Sequence, residues 1–186
     1  MFETTFTHSS TATLPHPTSM SHALSLLHDF NTVIHLSPEC NGFRAIPSPV
    51  PNQKDDHIQH YEVEDQLHFL PRYLWSGNVK YTADFLPQHD GCDITVHAPG
   101  GLTSHTKWRL TREAVVAEAG QAGSENKELA KDLRDEDGTG VWYVQIVSEA
   151  ACSLTYANFV KGFLKDSHQK LLEAYVEKVK EGPARA

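Results

Sequence analysis

The sequence predicts an α+β domain, a meander of antiparallel strands closed by one long C-terminal helix. Two patterns carry this. Residues 56–112 hold four runs in which apolar residues recur at every second position. The runs are separated by turn chemistry such as the Asp90-Gly91 pair and "APGGLT". Residues 156–182 instead hold an apolar stripe at helical spacing. At 186 residues the chain suits a single domain spanning 1–186, long enough to bury about 70% of its unfolded surface.

The elements follow in order. "FETTFTHSSTATL" (2–14) alternates and is rich in Thr and Phe, which predicts a first strand. In "PHPTSMSHALSLLHDF", Thr18 or Ser19 can cap a short helix whose inner face is Met20, Ala23, Leu24, Leu27 and Phe30. Asn31 is placed to cap a second short helix, "TVIHLS", which Pro38 ends. "CNGFRAI" reads as a short strand and "PSPVPNQKDD" as a loop. Four strands follow at 56–69, 74–86, 92–98 and 103–112. Residues 113–139 are charged, rich in Ala, Gly and Ser, and weakly apolar, so an exposed or disordered insertion is expected there.

"VWYVQIVSEAACSL" is apolar on both faces at its start, as a buried central strand would be. Its two rows, Tyr143, Gln145 and Val147 against Trp142, Val144 and Ile146, are equal candidates for the inner face. The final helix, about 25 residues and ~37 Å long, turns one stripe inward. That stripe is Phe159, Val160, Phe163, Leu164, Ser167, His168, Leu171, Leu172, Tyr175 and Val179.

A formal charge of −8 argues against nucleic acid and acidic membrane surfaces as partners. No window approaches the roughly 18 consecutive apolar residues of a membrane span, and no basic-then-apolar leader opens the chain. Cys40, Cys92 and Cys152 are odd in number and far apart, which fits a reducing compartment, with the cytoplasm as default. The twelve His residues are scattered, with no compact trio at metal-ligand spacing, so neither a metal nor any other cofactor is expected.

The element order is strand, two short helices, six strands, long helix. In that order, "PTSMSHALSLLHDFNTVIHLSPECNGFRAI" and "WYVQIVSEAACSLTYANFVKGFLKDSHQKLLEAYVEKV" resemble the opening helices and the gripping helix of the START-like (SRPBCC, helix-grip) superfamily. That superfamily includes pollen-allergen-type proteins, aromatic polyketide cyclases and lipid-transfer domains. More narrowly, the sequence is similar to fungal START-like proteins, including pyrone-forming cyclases of the aurovertin type. The resemblance implies a curved sheet of about seven strands around the C-terminal helix, with an apolar cavity between them. A hydrophobic small molecule would be the partner, and an exposed sheet edge could support a homodimer.

Strand parity then selects cavity-facing residues. They are Tyr61, Val63, Asp65, Leu67 and Phe69 on 56–69; Trp75, Val79, Tyr81, Ala83 and Phe85 on 74–86; Cys92, Ile94, Val96 and Ala98 on 92–98; and Ser104, Thr106, Trp108 and Leu110 on 103–112, with Phe163 and Ser167 facing them from the helix stripe. Asp65 stands out as an acid in an apolar row. Unpaired, it would carry a raised pKa suited to acid/base work; alternatively it reaches solvent or pairs with Arg44 or Arg72. His168 could shuttle protons or hold a ligand oxygen, or else hydrogen-bond a carbonyl within the packing. Arg44 could clamp a carboxylate or enolate, or lie on the surface. Tyr61 and Tyr81 are donors or core aromatics.

Three functions fit. The first is a cofactor-independent cyclase acting on a polyketide-like intermediate by lactonisation or aldol closure, with Asp65, His168, Tyr81 and Arg44 as its catalytic candidates. The second is a carrier of a lipid, sterol or secondary metabolite. The third is an interaction module whose interior is filled by Trp75, Tyr81, Phe85 and Trp108.

Overall fold

In the computed structural model, seven strands form one antiparallel sheet, and residues 3–48, 57–66, 78–112 and 141–182 are described. The strands are β1 (Glu3–Thr13), β2 (Cys40–Ile46), β3 (Gln59–Gln66), β4 (Asn78–Gln88), β5 (Gly91–Ala98), β6 (Leu102–Thr111) and β7 (Tyr143–Ser153). The helices are α1 (Met20–His28), α2 (Phe30–His35) and α3 (Ala157–Glu181). The expected insertion at 113–139 lies outside the described residues, as do Leu67, Arg72 and Trp75.

The sheet order is β1-β7-β6-β5-β4-β3-β2. Strands β2 to β7 thus meander, each pairing with its neighbour in sequence. The exception is β1, which pairs with β7 from Glu3↔Ser153 to Thr13↔Tyr143. This places β7 between two partners and explains its two-faced apolar start. Only the row Val144, Ile146, Ser148, Ala150 and Cys152 belongs to the interior; Gln145, on the other row, reaches Ser9 Oγ at 3.3 Å.

Local chemistry sets the joints. Ser19 caps α1 by accepting from the His22 backbone N–H. For α2 the cap position belongs to Asp29, not Asn31, which sits in the first turn; the Asp29 carboxylate takes the Thr32 hydroxyl at 2.6 Å. The β4–β5 hairpin turns on His89 and Asp90. Gly91 is demanded there by close approach, since a Cβ would stand 2.0 Å from the Trp108 carbonyl oxygen on β6. The turn Pro99–Gly101 places Gly100 and Gly101 at φ 77° and 76°, a conformation that favours glycine.

One end of the sheet is plugged. The small helices α1 and α2 add Ala23, Leu27 and Phe30 to the core cluster that also holds Trp108, Leu110, Val144 and Leu172, Tyr175 and Val179 of α3, with the Phe30 ring 5.0 Å from that of Phe85. Tyr175 of α3 is fully buried, packs edge-on to Trp108 at 5.6 Å, and donates its hydroxyl to the Ala23 carbonyl at 2.7 Å. His28 Nε2 ties α1 to the β4–β5 hairpin, 2.8 Å from the Gln88 carbonyl oxygen and 3.0 Å from that of Gly91.

Candidate ligand cavity

Between the first half of α3 and the concave face of the sheet lies a cavity of about 590 Å³, within the range of small-molecule sites. Its walls follow the predicted parity. β3 gives Val63 and Asp65; β4 gives Val79, Tyr81, Ala83 and Phe85; β5 gives Ile94, Val96 and Ala98. β6 gives Leu102, Ser104, Thr106 and Trp108, and β7 gives Ser148, Ala150 and Cys152. The helix contributes Phe159, Val160, Phe163, Leu164, Ser167, His168 and Leu171, and α2 closes the inner end with Val33 and Ile34. The Pro99–Gly101 turn and Thr155 also line it. The interior is therefore hollow, and the filled-core expectation of an interaction module fails over the described residues.

Two polar clusters stand on this largely apolar surface, Asp65 with Tyr81 and His168 with Ser148 and Thr106. On β3, Asp65 is buried, and its Oδ2 accepts the Tyr81 hydroxyl at 3.0 Å. Among the described residues its buried Oδ1 has no hydrogen-bond partner. Burial raises the Asp65 pKa, the Tyr81 hydrogen bond opposes that, and the nearby charge of Glu39 adds to the rise. Burial and the same carboxyl hold Tyr81 firmly as a phenol. Glu39 itself is paired with Lys170 of α3 at 2.7 Å.

On the other wall, His168 is 2% exposed. Its Nε2 lies 2.7 Å from Ser148 Oγ, which lies 2.8 Å from Thr106 Oγ1. Among the described residues its buried Nδ1 has no hydrogen-bond partner. The His8 ring of β1 stands 5.0 Å away. Burial first, and His8 second, bring the His168 pKa down to about 4, so the imidazole is neutral at pH 7.

Of the residues predicted for the site, Asp65, Tyr81, His168, Val63, Val79, Phe85, Trp108, Phe163 and Ser167 line the cavity. Two do not. Arg44 is on the outer face of β2, its side chain 71% exposed and 3.0 Å from Glu62 across the strand pair, because its parity opposes that of Phe43. It neither clamps a ligand here nor neutralises Asp65. Tyr61 is core: it packs against Phe43 and Phe85 at 5.9 and 5.4 Å, and its hydroxyl goes to Gln59. Leu67 and Trp75 lie outside the described residues. Sequence reasoning missed Ser148 and His8; both were visible as polar members of apolar rows, Ser148 only once the inner face of β7 was chosen.

The chain belongs to the family described as domain of unknown function DUF7053, whose model matches residues 3–181. No curated protein matches it. Among solved structures it is similar to TTHA0849 from Thermus thermophilus, at TM-score 0.55 and 9% identity over 96% of this chain and 99% of that one. The Zhui aromatase/cyclase from Streptomyces sp. R1128 matches at TM-score 0.54 and 10% identity over 96% and 94%. Ara h 8.0201 matches at 0.55 and 12% over 96% and 100%. At these identities the likeness shows the fold, and the fold is the helix-grip architecture that the element order implied.

Proposed function

We propose that this member of the DUF7053 family binds an apolar, oxygen-containing small molecule in its cavity and promotes that molecule's cyclisation, by lactonisation or aldol closure of a polyketide-like intermediate. The observation that carries the reading is Asp65. It is a buried carboxyl on the cavity wall, oriented through Oδ2 by a phenol and, among the described residues, unpartnered at Oδ1. A carboxyl whose pKa is raised by burial holds a proton more readily than an exposed one, which suits it to taking and returning a proton.

In a lactonisation, the enol hydroxyl of a β,δ-diketo thioester gives its proton to ionised Asp65 as its oxygen attacks the thioester carbonyl. The C–O bond forms, the C–S bond breaks, and the proton passes to the departing thiolate. Tyr81 fixes the carboxyl, and the apolar walls hold the chain folded for the attack. Arg44 has no part in this. His168 and Ser148 hold the far end of the ligand rather than the reacting atoms, since β3 and β7 are four inter-strand spacings of about 4.8 Å apart along the sheet. Pyrone formation of the aurovertin type is one reaction of this class, and the resemblance to fungal START-like proteins favours it.

The N-acetylcysteamine thioester of a linear β,δ-diketo acid tests the reading, with thiol release and pyrone absorbance as readouts. The expected result is acceleration by the wild-type protein and a loss of about 100-fold or more in folded Asp65→Asn. Equal rates in the two proteins would sink the assignment. The placement of the two polar groups on different walls favours a second reading, a carrier that binds without chemistry. In that case the thioester is retained intact, as native mass spectrometry would detect.

A further inference from the structure

The two walls leave two polar atoms unserved. Asp65 is 7% exposed and His168 2%, yet among the described residues Oδ1 of one and Nδ1 of the other have no partner. A buried polar atom without a hydrogen bond is costly, so both atoms mark places where ligand atoms are rewarded. A hydroxyl serves either place. It can donate or accept, and so fits Oδ1 in either protonation state and Nδ1 in either tautomer.

Charge narrows the choice further. The ionisable side chains among the described lining residues are Asp65, Tyr81, Cys152 and His168, and none is Lys or Arg. A carboxylate ligand would lose its hydration without meeting a cation, and one end of it would face another carboxyl. Nor is a single ligand oxygen suited to both atoms, because His168 is held against Ser148 of β7, four strands along the sheet from the β3 strand that carries Asp65.

We infer that the cavity selects an uncharged ligand with two oxygen functions at opposite ends of an apolar skeleton, one meeting Asp65 Oδ1 and the other His168 Nδ1, and that it discriminates against carboxylates. This rests on the ligand-binding reading above and adds the ligand's polarity and charge to it.

Displacement of the neutral fluorophore Nile red at about pH 8 tests it, using three chain-matched competitors. These are dodecanediol with a hydroxyl at each end, dodecanol and dodecanoate. The diol is expected to bind about tenfold tighter than dodecanol, and dodecanoate about tenfold weaker than dodecanol. Asp65→Leu and His168→Leu should each reduce the diol to the affinity of the mono-alcohol. If His168→Leu fails to fold, the wild-type series and Asp65→Leu decide. Dodecanoate competing as well as dodecanol, or a diol no better than the alcohol, overturns the inference while leaving ligand binding intact. Failure of Nile red to bind at all removes the ligand-binding reading itself, and this inference with it.

Discussion

The two halves of α3 meet the sheet differently. From Leu172 to Val179 the helix is close-packed: Leu172, Tyr175 and Val179 are buried in the main core, where Tyr175 packs against Trp108 and bonds Ala23 of α1. From Phe159 to Leu171 the same stripe continues at the same spacing but faces empty volume, and Phe159 remains 42% exposed. One helix thus provides close packing at one end and a cavity wall at the other. The difference comes from what lies opposite, since the small helices plug one end and leave the other hollow.

Adjacent leucines divide the two regimes. Leu172→Ala removes side-chain volume from a close-packed core and should cost about 3 kcal/mol of unfolding free energy, through lost transfer energy and the cavity left behind. Leu171→Ala only enlarges a cavity that already exists, and should cost about 1 kcal/mol by the transfer of a partly exposed side chain. Urea unfolding of the two variants measures both. Equal losses would mean that the cavity end is as tightly packed as the plugged end.

The two polar groups allow a second contrast. Burial acts on both but in opposite directions: it raises the acid and lowers the imidazole, and each shift favours the uncharged form. His168 has a folded pKa of about 4 against an ordinary 6.5. Its contribution is therefore complete above pH 6.5 and lost as pH falls toward 4, where the unfolded chain binds the extra proton. The loss is on the order of 3 kcal/mol. Asp65 has the reverse sign, with a contribution present at low pH and lost as pH rises through its raised folded value. Unfolding free energies of wild type and His168→Gln across this range isolate the histidine. Gln keeps a polar atom for Ser148 without a charge to gain, so the difference between the two proteins should shrink steadily below pH 6.5. A constant difference would show that His168 titrates as if exposed.

Much of this was legible in the chain because parity along β3 to β6 needs only alternation and a polar outer face. Asp65, Tyr81 and Trp108 fell on the correct wall for that reason. The face of β7 was not legible, since Tyr143 and Val147 of one row are as apolar as Val144 and Ile146 of the other. Without that face Ser148 could not be matched to His168. Their contact depends on how α3 is rotated over the sheet, a matter of ångströms that a stripe of apolar residues leaves open. Arg44 misled because a cation beside an apolar row invites pairing with the nearest buried acid, whereas its own parity sends it to Glu62. The cap at Asp29 rather than Asn31 is a two-residue error of the kind that short helices permit.

The smallest expected effect probes how finely the Asp65 wall is tuned. Glu39 contributes the least of the influences on Asp65, after burial and the Tyr81 hydrogen bond, and its charge is already partly answered by Lys170. Glu39→Gln removes that charge and keeps most of the shape. The ion pair it breaks is half open to solvent and is worth at most about 1 kcal/mol. The Asp65 pKa should move down, because a neighbouring negative charge no longer opposes ionisation. If ionised Asp65 is the base, the rising limb of the thioester-cyclisation profile then shifts to lower pH while the plateau rate is kept. The Tyr81→Phe variant should move the limb the other way, since the lost phenol had favoured the carboxylate. Opposite shifts from these two substitutions would tie the limb to Asp65, and a limb that moves with neither belongs to another group.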